Sequence, residues 1–411
     1  MTGRTVVIGG GAAGIAAAQT LHDAGREVLL IEAADRLGGR ARSVRLPTGH
    51  VVDHGCGWLH SAKRNPWTCI AEQAGFTVDR RRPNWDGQWR DLGFPPDEQE
   101  AADAAFAAFE TAALAAVDGP DWPLSDFVEA NHRWRPMIEA VSGYVNGAAL
   151  DQVSLHDWAA YEQAATDDNW VVVEGYGTVI MNHSAGLVAR TGITANRIDH
   201  RGGALRIDTS DGTIECDHVV IAVPTSVLAA GKLVFDPPLA AKTDAAAALP
   251  LGIADKVFLS VEGPLPWPAH QHLTGNPHDS CTASHRLSPF GWPIVESFFG
   301  GPCAGALEED GAAAAFAIEE LVALLGSDWR RRFTPLDATR WRHVPLIGGS
   351  YSHARVGHAG ARQILAEPVD GRIFFAGEAC SREDFSTAHG AYATGVAATQ
   401  AIMKKTSDRG L

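Results

Sequence analysis

Two interwoven domains in an α/β fold are predicted for this chain of 411 residues, and three features carry the prediction. The chain opens with a short apolar run, a glycine turn and an alanine-rich stretch. A similar arrangement closes it. The long middle mixes helical and strand periodicities without a linker that would separate independent domains.

The length exceeds one ordinary domain and suits two, each able to bury a core. Hydrophobic residues make up 45% and charged residues 20%, the balance of a globular chain. The formal charge of −15 argues against a nucleic-acid partner, which needs a basic surface, and favours cationic ligands.

Thr5 to Ile8 reads as a buried strand, Gly9 to Gly14 as a tight turn, the alanine-rich stretch to Gly25 as a helix, and Glu27 to Glu32 as a second strand. This is a βαβ unit with a right-handed crossover, the opening half of a Rossmann-type domain. Residues 100–117 place Phe106, Phe109, Leu114 and Val117 at helical spacing and predict a helical insert. From Val171 strands are expected, first VVVEGYG and then a meander whose hairpin turn is Asp211-Gly212, returning to a parallel strand. A strand near Lys256 to Val261, a helix over Ala312 to Leu325, a strand in RIFFAG and a closing helix from about Thr387 complete the pass. Residues 1–75, 170–232 and 340–411 group as the dinucleotide-binding domain, and 76–169 and 233–339 as an α+β substrate-binding domain.

Gly9, Gly11 and Gly14 stand as GxGxxG between strand and helix. The spacing permits a tight turn, close backbone approach to a pyrophosphate and close helix packing, while the helix N-terminus around Ala13 offers unpaired N–H groups to phosphate. Glu32, followed by Ala33, ends the second strand about eighteen residues after Gly14, placed for adenosine ribose hydroxyls. Arg36 and the Gly38-Gly39-Arg40 turn then bring backbone and guanidinium to the pyrophosphate from its far side.

The run IEAADRLGGRARS, residues 31–43, is nearly letter for letter the signature of the flavin-dependent amine oxidases, the family of monoamine oxidases, polyamine oxidases and lysine-specific histone demethylases. The chain resembles that family in three further blocks. The resemblance implies FAD as cofactor and a glutathione-reductase-like FAD-binding domain. In VDHGCGWLHSAKRNPW it sets Gly57 and Trp58 beside the flavin ring and His60 on the family's active-site histidine; on residues alone, His60 reads as a surface histidine in a polar turn. In LGIADKVFLSVE it makes Lys256 the lysine that holds a water at flavin N5. Alternation puts Lys256 on a face with Phe258 and Ser260, a single polar point whose burial would lower an ammonium's pKa, although a lysine snorkelling from a strand end has the same spacing.

In the C-terminal block the resemblance sets Gly377 and Glu378 at the ribityl and pyrophosphate end. It brings a helix N-terminus at Thr387 and Ala388 to the pyrimidine carbonyl, and puts Trp341 beside the isoalloxazine, a residue that core packing explains equally. Two departures stand out. Ser350 replaces the cysteine that links flavin in monoamine oxidases, so FAD is expected to be non-covalent. Tyr351 matches one of their two substrate-flanking tyrosines, while Thr387 takes the other position. Polyamine-type substrates are therefore expected over arylalkyl monoamines.

The implied chemistry is hydride transfer from the carbon beside an amine nitrogen to flavin N5, with catalytic roles for Lys256, His60, Tyr351 and Thr387, imine hydrolysis, and reoxidation by dioxygen to hydrogen peroxide. The partners are then a small amine and dioxygen. Asp91, Glu98, Glu174 and Glu296 are candidate grips for a distal ammonium. The rivals are an amino-acid oxidase, with an arginine from Arg80 to Arg82 on a substrate carboxylate, a protoporphyrinogen oxidase, and a carotenoid desaturase, which would want a membrane-facing apolar surface. A flavin-bound scaffold without activity is the remaining reading, opposed by His60, Lys256 and Tyr351 occurring together. The six cysteines are scattered without metal-type spacing and read as reduced thiols. With no leader and no apolar run of about 18 residues, a cytoplasmic protein without a membrane anchor is expected. The sequence leaves the oligomeric state open.

Overall fold

A computed structural model describes residues 3–408. The chain begins with β1 (Thr5–Ile8), α1 (Ala12–Asp23) and β2 (Val28–Ile31). Three helices follow, α2 (Pro96–Ala115), α3 (Arg135–Asn146) and α4 (Leu155–Ala164), then the strands β3 (Ala189–Arg190) and β4 (His218–Ile221). The strands β5 (Ala254–Val261), β6 (Gln271–Thr274), β7 (Ser284–Leu287), β8 (Ile294–Gly300) and β9 (Phe333–Ala338) come next. Toward the C-terminus lie β10 (Ile373–Phe375) and α5 (Ala388–Asp408).

β10, β4, β1, β2 and β3 form a parallel sheet in that order. Val6, Val7, Leu30, Ile31, Val219 and Val220 are fully buried in it, as expected where both faces of a parallel sheet are covered. The two ends of the chain meet here. α1 lies against α5 so closely that a Cβ on Gly395 would collide with the Ala13 carbonyl, and β10 borders β4. Residues 195–216 fold back as an antiparallel meander, with Gly212 at positive φ beginning the return strand, and lead into β4 as expected.

The second large sheet is antiparallel, in the order β6, β7, β8, β5, β9. α3 reaches it through backbone contact, because a Cβ on Gly143 would lie 2.7 Å from the Gly300 carbonyl. The expected helical insert is α2, and the helix expected at 312–325 forms over those residues.

Two expectations are corrected. The strand expected through VVVEGYG stops after Val171–Val172, and a helix begins at Tyr176. Gly175 turns the chain at φ 94°, and the buried Asp53 carboxylate accepts the N–H groups of Tyr176 and Gly177, capping the helix from a distant segment. Nor are all the cysteines free. Cys281 and Cys303 are disulfide-bonded, leaving Cys56, Cys69, Cys216 and Cys380 as thiols. Pairing Ser284 with Phe298 across β7 and β8 brings the two flanking segments together, a proximity invisible in the spacing. Among the described residues no helix is long and apolar enough to cross a membrane.

Candidate active site

A cavity of about 1300 Å³ runs from the glycine turn after β1 to the antiparallel sheet. That exceeds the ~300–1,000 Å³ of ordinary ligand pockets and has room for a dinucleotide together with a second molecule. Every predicted site residue except Gly14 lines it.

The glycine turn divides its labour as the spacing suggested. A Cβ on Gly9 would lie 2.5 Å from the Ala222 carbonyl oxygen, and one on Gly14 would collide with the Gly9 carbonyl, so both are required by the protein's own packing. A Cβ on Gly11 would meet no protein atom within 4 Å and would instead fill the cavity floor. Gly377 likewise opens onto free space. This is the shape a pyrophosphate needs, and the residues present fit FAD.

The charged groups around this floor are committed to holding it. Glu32 accepts the Gly10 N–H at 2.6 Å and the Ala34 N–H at 2.7 Å. Arg36 donates to the carbonyls of Leu37 and Gly39 at 3.0 and 2.8 Å, pinning the second glycine turn beside Ala33 and Ala13. Arg40 donates to the Ser350 carbonyl and pairs with Glu378 at 2.9 Å, while Glu378 also accepts from the Ser352 hydroxyl at 2.7 Å and the Ser386 N–H at 3.0 Å. Burial opposes charge on Glu378, but Arg40 and Arg362 hold its carboxyl below the usual range.

Thr387 is the N-cap of α5: its hydroxyl accepts the Gly390 N–H at 3.0 Å and donates to the Asp384 carbonyl at 2.6 Å. The free N–H groups of that first turn, at Ala388, border the cavity. Trp341 is both core and lining, buried with its indole N–H on the His54 carbonyl at 3.1 Å. Tyr351 also lines the cavity, its hydroxyl donating to the Tyr144 carbonyl.

Near the antiparallel sheet, Gly57, Trp58, His60 and Lys256 all line the cavity, with Gly57 beside the lysine amine. His60 Nδ1 lies 2.7 Å from Asn169 Oδ1, so it donates, and burial pushes the imidazole pKa down to about 4, leaving it neutral. Lys256 is no isolated polar point. Its ammonium donates to the Asp53 carbonyl at 2.9 Å and pairs with Glu296 at 2.9 Å. Glu296 in turn faces Arg286 at 3.6 Å, and that guanidinium lies over Trp58, 4.9 Å from the ring centre.

The distal-ammonium candidates are therefore redistributed. Asp91, Glu98 and Glu174 lie outside the cavity lining and accept from Gln99, Arg133 and Thr77 respectively, while Glu296 is engaged by Lys256. Of the lining carboxylates without a hydrogen-bond or ion-pair partner among the described residues, Asp35, Asp103 and Asp167 are exposed, whereas Glu110 on α2 and Glu162 on α4 are half-buried. Burial, and then the charge of Glu110, pushes the Glu162 carboxyl up to about 7; burial raises Glu110 as well. A sequence signal for both existed. Glu162 follows Leu155, Trp158 and Ala159 on one helical face, and Glu110 sits between Phe106 and Ala113 on another, so each is an acid on an apolar stripe. Asn169, in a loop without motif, had none. Arg81 and Arg82 line the cavity and Arg80 does not, but Arg81 is held by Asp79 at 2.6 Å.

Residues 12–403 match the model of a family described as flavin containing amine oxidoreductases. The chain is 29% identical to polyamine oxidase 2 of Arabidopsis thaliana, over 98% of this chain and 89% of that protein. It is 27% identical to polyamine oxidase 4 of Oryza sativa subsp. japonica, over 97% of this chain and 88% of that one. It is 28% identical to lysine-specific histone demethylase 1B of Mus musculus, over 95% of this chain but about half, 52%, of the longer relative.

Proposed function

The chain belongs to the flavin containing amine oxidoreductases, and we propose that it is an FAD-dependent amine oxidase acting on an aliphatic amine of the polyamine class. The observation that carries this reading is one cavity joining the glycine turn, Lys256 and two unpaired carboxylates. In this reading the arrangement is glutathione-reductase-like, with 1–75, 170–232 and 340–411 holding FAD and 76–169 and 233–339 holding substrate. Ser350 in place of a linking cysteine supports a non-covalent cofactor.

FAD, when bound, supplies the hydride acceptor and returns electrons to dioxygen, giving hydrogen peroxide. The chain supplies position and electrostatics. Gly11 and Gly377 would leave room for the pyrophosphate, and the α5 N-terminus at Thr387 and Ala388 would offer a partial positive charge to the pyrimidine edge of a bound flavin. Trp58, Trp341 and Tyr351 wall the reacting end against water. His60, neutral and oriented by Asn169, keeps a lone pair on Nε2 that can accept a hydrogen bond from the substrate amine and hold it in place. Glu162 and Glu110 grip a second ammonium farther along the chain of the substrate, as a polyamine requires. Hydrolysis of the resulting imine completes the turnover.

An amino-acid oxidase would need a guanidinium free to clamp a carboxylate. Of the candidates Arg80 to Arg82, the two that line the cavity, Arg81 and Arg82, face Asp79 and Asp86, as Arg286 faces Glu296, which favours the amine. The test is direct: mix the protein, loaded with FAD, anaerobically with putrescine, spermidine or simple amines, then admit air. Amine-dependent loss of the yellow absorbance followed by peroxide release is expected. A protein that takes up no FAD, or whose flavin no amine reduces, would end this reading.

A further inference from the structure

An ammonium has three donors and no acceptor. In Lys256 two are assigned: one to the Asp53 carbonyl at 2.9 Å and one to Glu296 at 2.9 Å. With both fixed, the side chain has one orientation and a single donor left for the cavity it lines. Gly57 leaves that amine its space, because a Cβ there would come within 3.2 Å of Nζ.

Glu296 is itself braced. Lys256 pairs with Phe298 and Phe258 with Glu296 across β5 and β8, so the carboxylate and the ammonium are diagonal neighbours on one face of the sheet. The other carboxylate oxygen faces Arg286 at 3.6 Å. Arg286 lies over Trp58 at 4.9 Å and Phe290 at 5.3 Å, with its guanidinium 3.1 Å from His270 Nδ1. Both oxygens of Glu296 are thus engaged, which leaves it unsuited to gripping a substrate. A buried pair of this kind adds little net stability over packed apolar residues, so its presence on the cavity wall calls for another reason.

We propose that Glu296, braced by Arg286, is a positioning residue that fixes the Lys256 ammonium so that its one unassigned N–H serves the reacting end of the cavity. This rests on the oxidase reading above for what Lys256 does, though not for how it is held. The other titratable groups whose charge Lys256 feels are Asp53, His54 and Cys56. All three belong to the segment before Gly57, and Glu296 is the carboxylate paired with the amine.

The test compares wild type, E296Q, E296D, K256M and the E296Q/K256M double variant. Acylation of Lys256 by acetic anhydride, followed by peptide mass spectrometry, reads the amine directly with or without flavin. Lys242, buried and held by the carbonyls of Ile364, Leu365 and Glu367, is the internal control. In E296Q, Lys256 should label about tenfold faster, because an amine that has lost its carboxylate partner is no longer held as a paired ammonium. E296D should return it toward wild type, and Lys242 should not move. Flavin reduction and reoxidation should slow about tenfold or more in E296Q, and by less than about twofold when the same change is made in K256M. Unchanged Lys256 labelling, Lys242 rising in parallel, or additive effects of the two substitutions would each overturn the proposal. If labelling responds but K256M leaves both half-reactions at the wild-type rate, the role given to Lys256 fails while its positioning by Glu296 stands.

Discussion

The Asp53 carboxylate accepts the Tyr176 N–H at 2.9 Å and the Gly177 N–H at 3.1 Å, so a residue preceding the Trp58 turn caps a helix from the middle of the chain. Its remaining contacts include the Ser43 hydroxyl at 2.5 Å. Asp53→Ala strands two N–H groups and a hydroxyl, and a loss of about 2–3 kcal/mol is expected in urea unfolding of the flavin-free protein. Asp53→Asn, which keeps one acceptor, should lose roughly half of that. A change below about 0.5 kcal/mol in the alanine variant would deny Asp53 the capping role.

Gly11 and Gly14 should part company. Gly11→Ala fills only cavity space, so unfolding of the flavin-free protein should be unchanged while FAD affinity falls about tenfold or more. Gly14→Ala meets the Gly9 carbonyl and should destabilise the fold itself. Equal FAD affinity in Gly11→Ala and wild type, measured by fluorescence titration, would remove the pyrophosphate from that turn.

Glu162→Gln should raise KM for a diamine or polyamine about tenfold and leave a monoamine nearly untouched, with kcat little changed. Because the carboxyl titrates at about 7, wild-type KM for the polyamine should fall as pH rises through 7, and this leg should vanish in the variant. The stability linkage runs the opposite way. Folding favours the neutral carboxyl, so its contribution is complete below the unfolded value near 4.5 and is lost as pH rises toward 7. Identical KM profiles for the two proteins would exclude Glu162 from substrate binding.

His60 should show no titration in the working range, because burial holds it to about 4. Its neutral form is the folded form, so the stabilisation is present above the unfolded value of 6.5 and lost as pH falls toward 4. Asn169→Asp places a negative charge on the ring N–H and should bring the histidine's titration back above 6, visible by NMR and as a new acid limb in the rate profile. Absence of both shifts would separate Asn169 from His60 in function.

The opening strand, glycine turn and helix, the α2 insert, β5 and the closing helix were legible because each is a local pattern: apolar periodicity bounded by glycine or a cap. The residues that need backbone room were legible for the same reason, since a φ or a missing Cβ is a property of one position. The helix at Tyr176 was not, because its cap is Asp53, in another segment. The cysteine pair and the Lys256 to Glu296 contact depend on strand register, which no single strand encodes.

Chain order and residue type alone specified that a dinucleotide turn, a lysine strand and a capped helix exist. Tertiary structure decided how the carboxylates on the cavity wall are used: Glu296 is neutralised by two cations, while Glu110 and Glu162 are half-buried without partners. The reason is that a charge's role depends on what lies within a few ångströms of it, and those neighbours come from segments far apart in the chain.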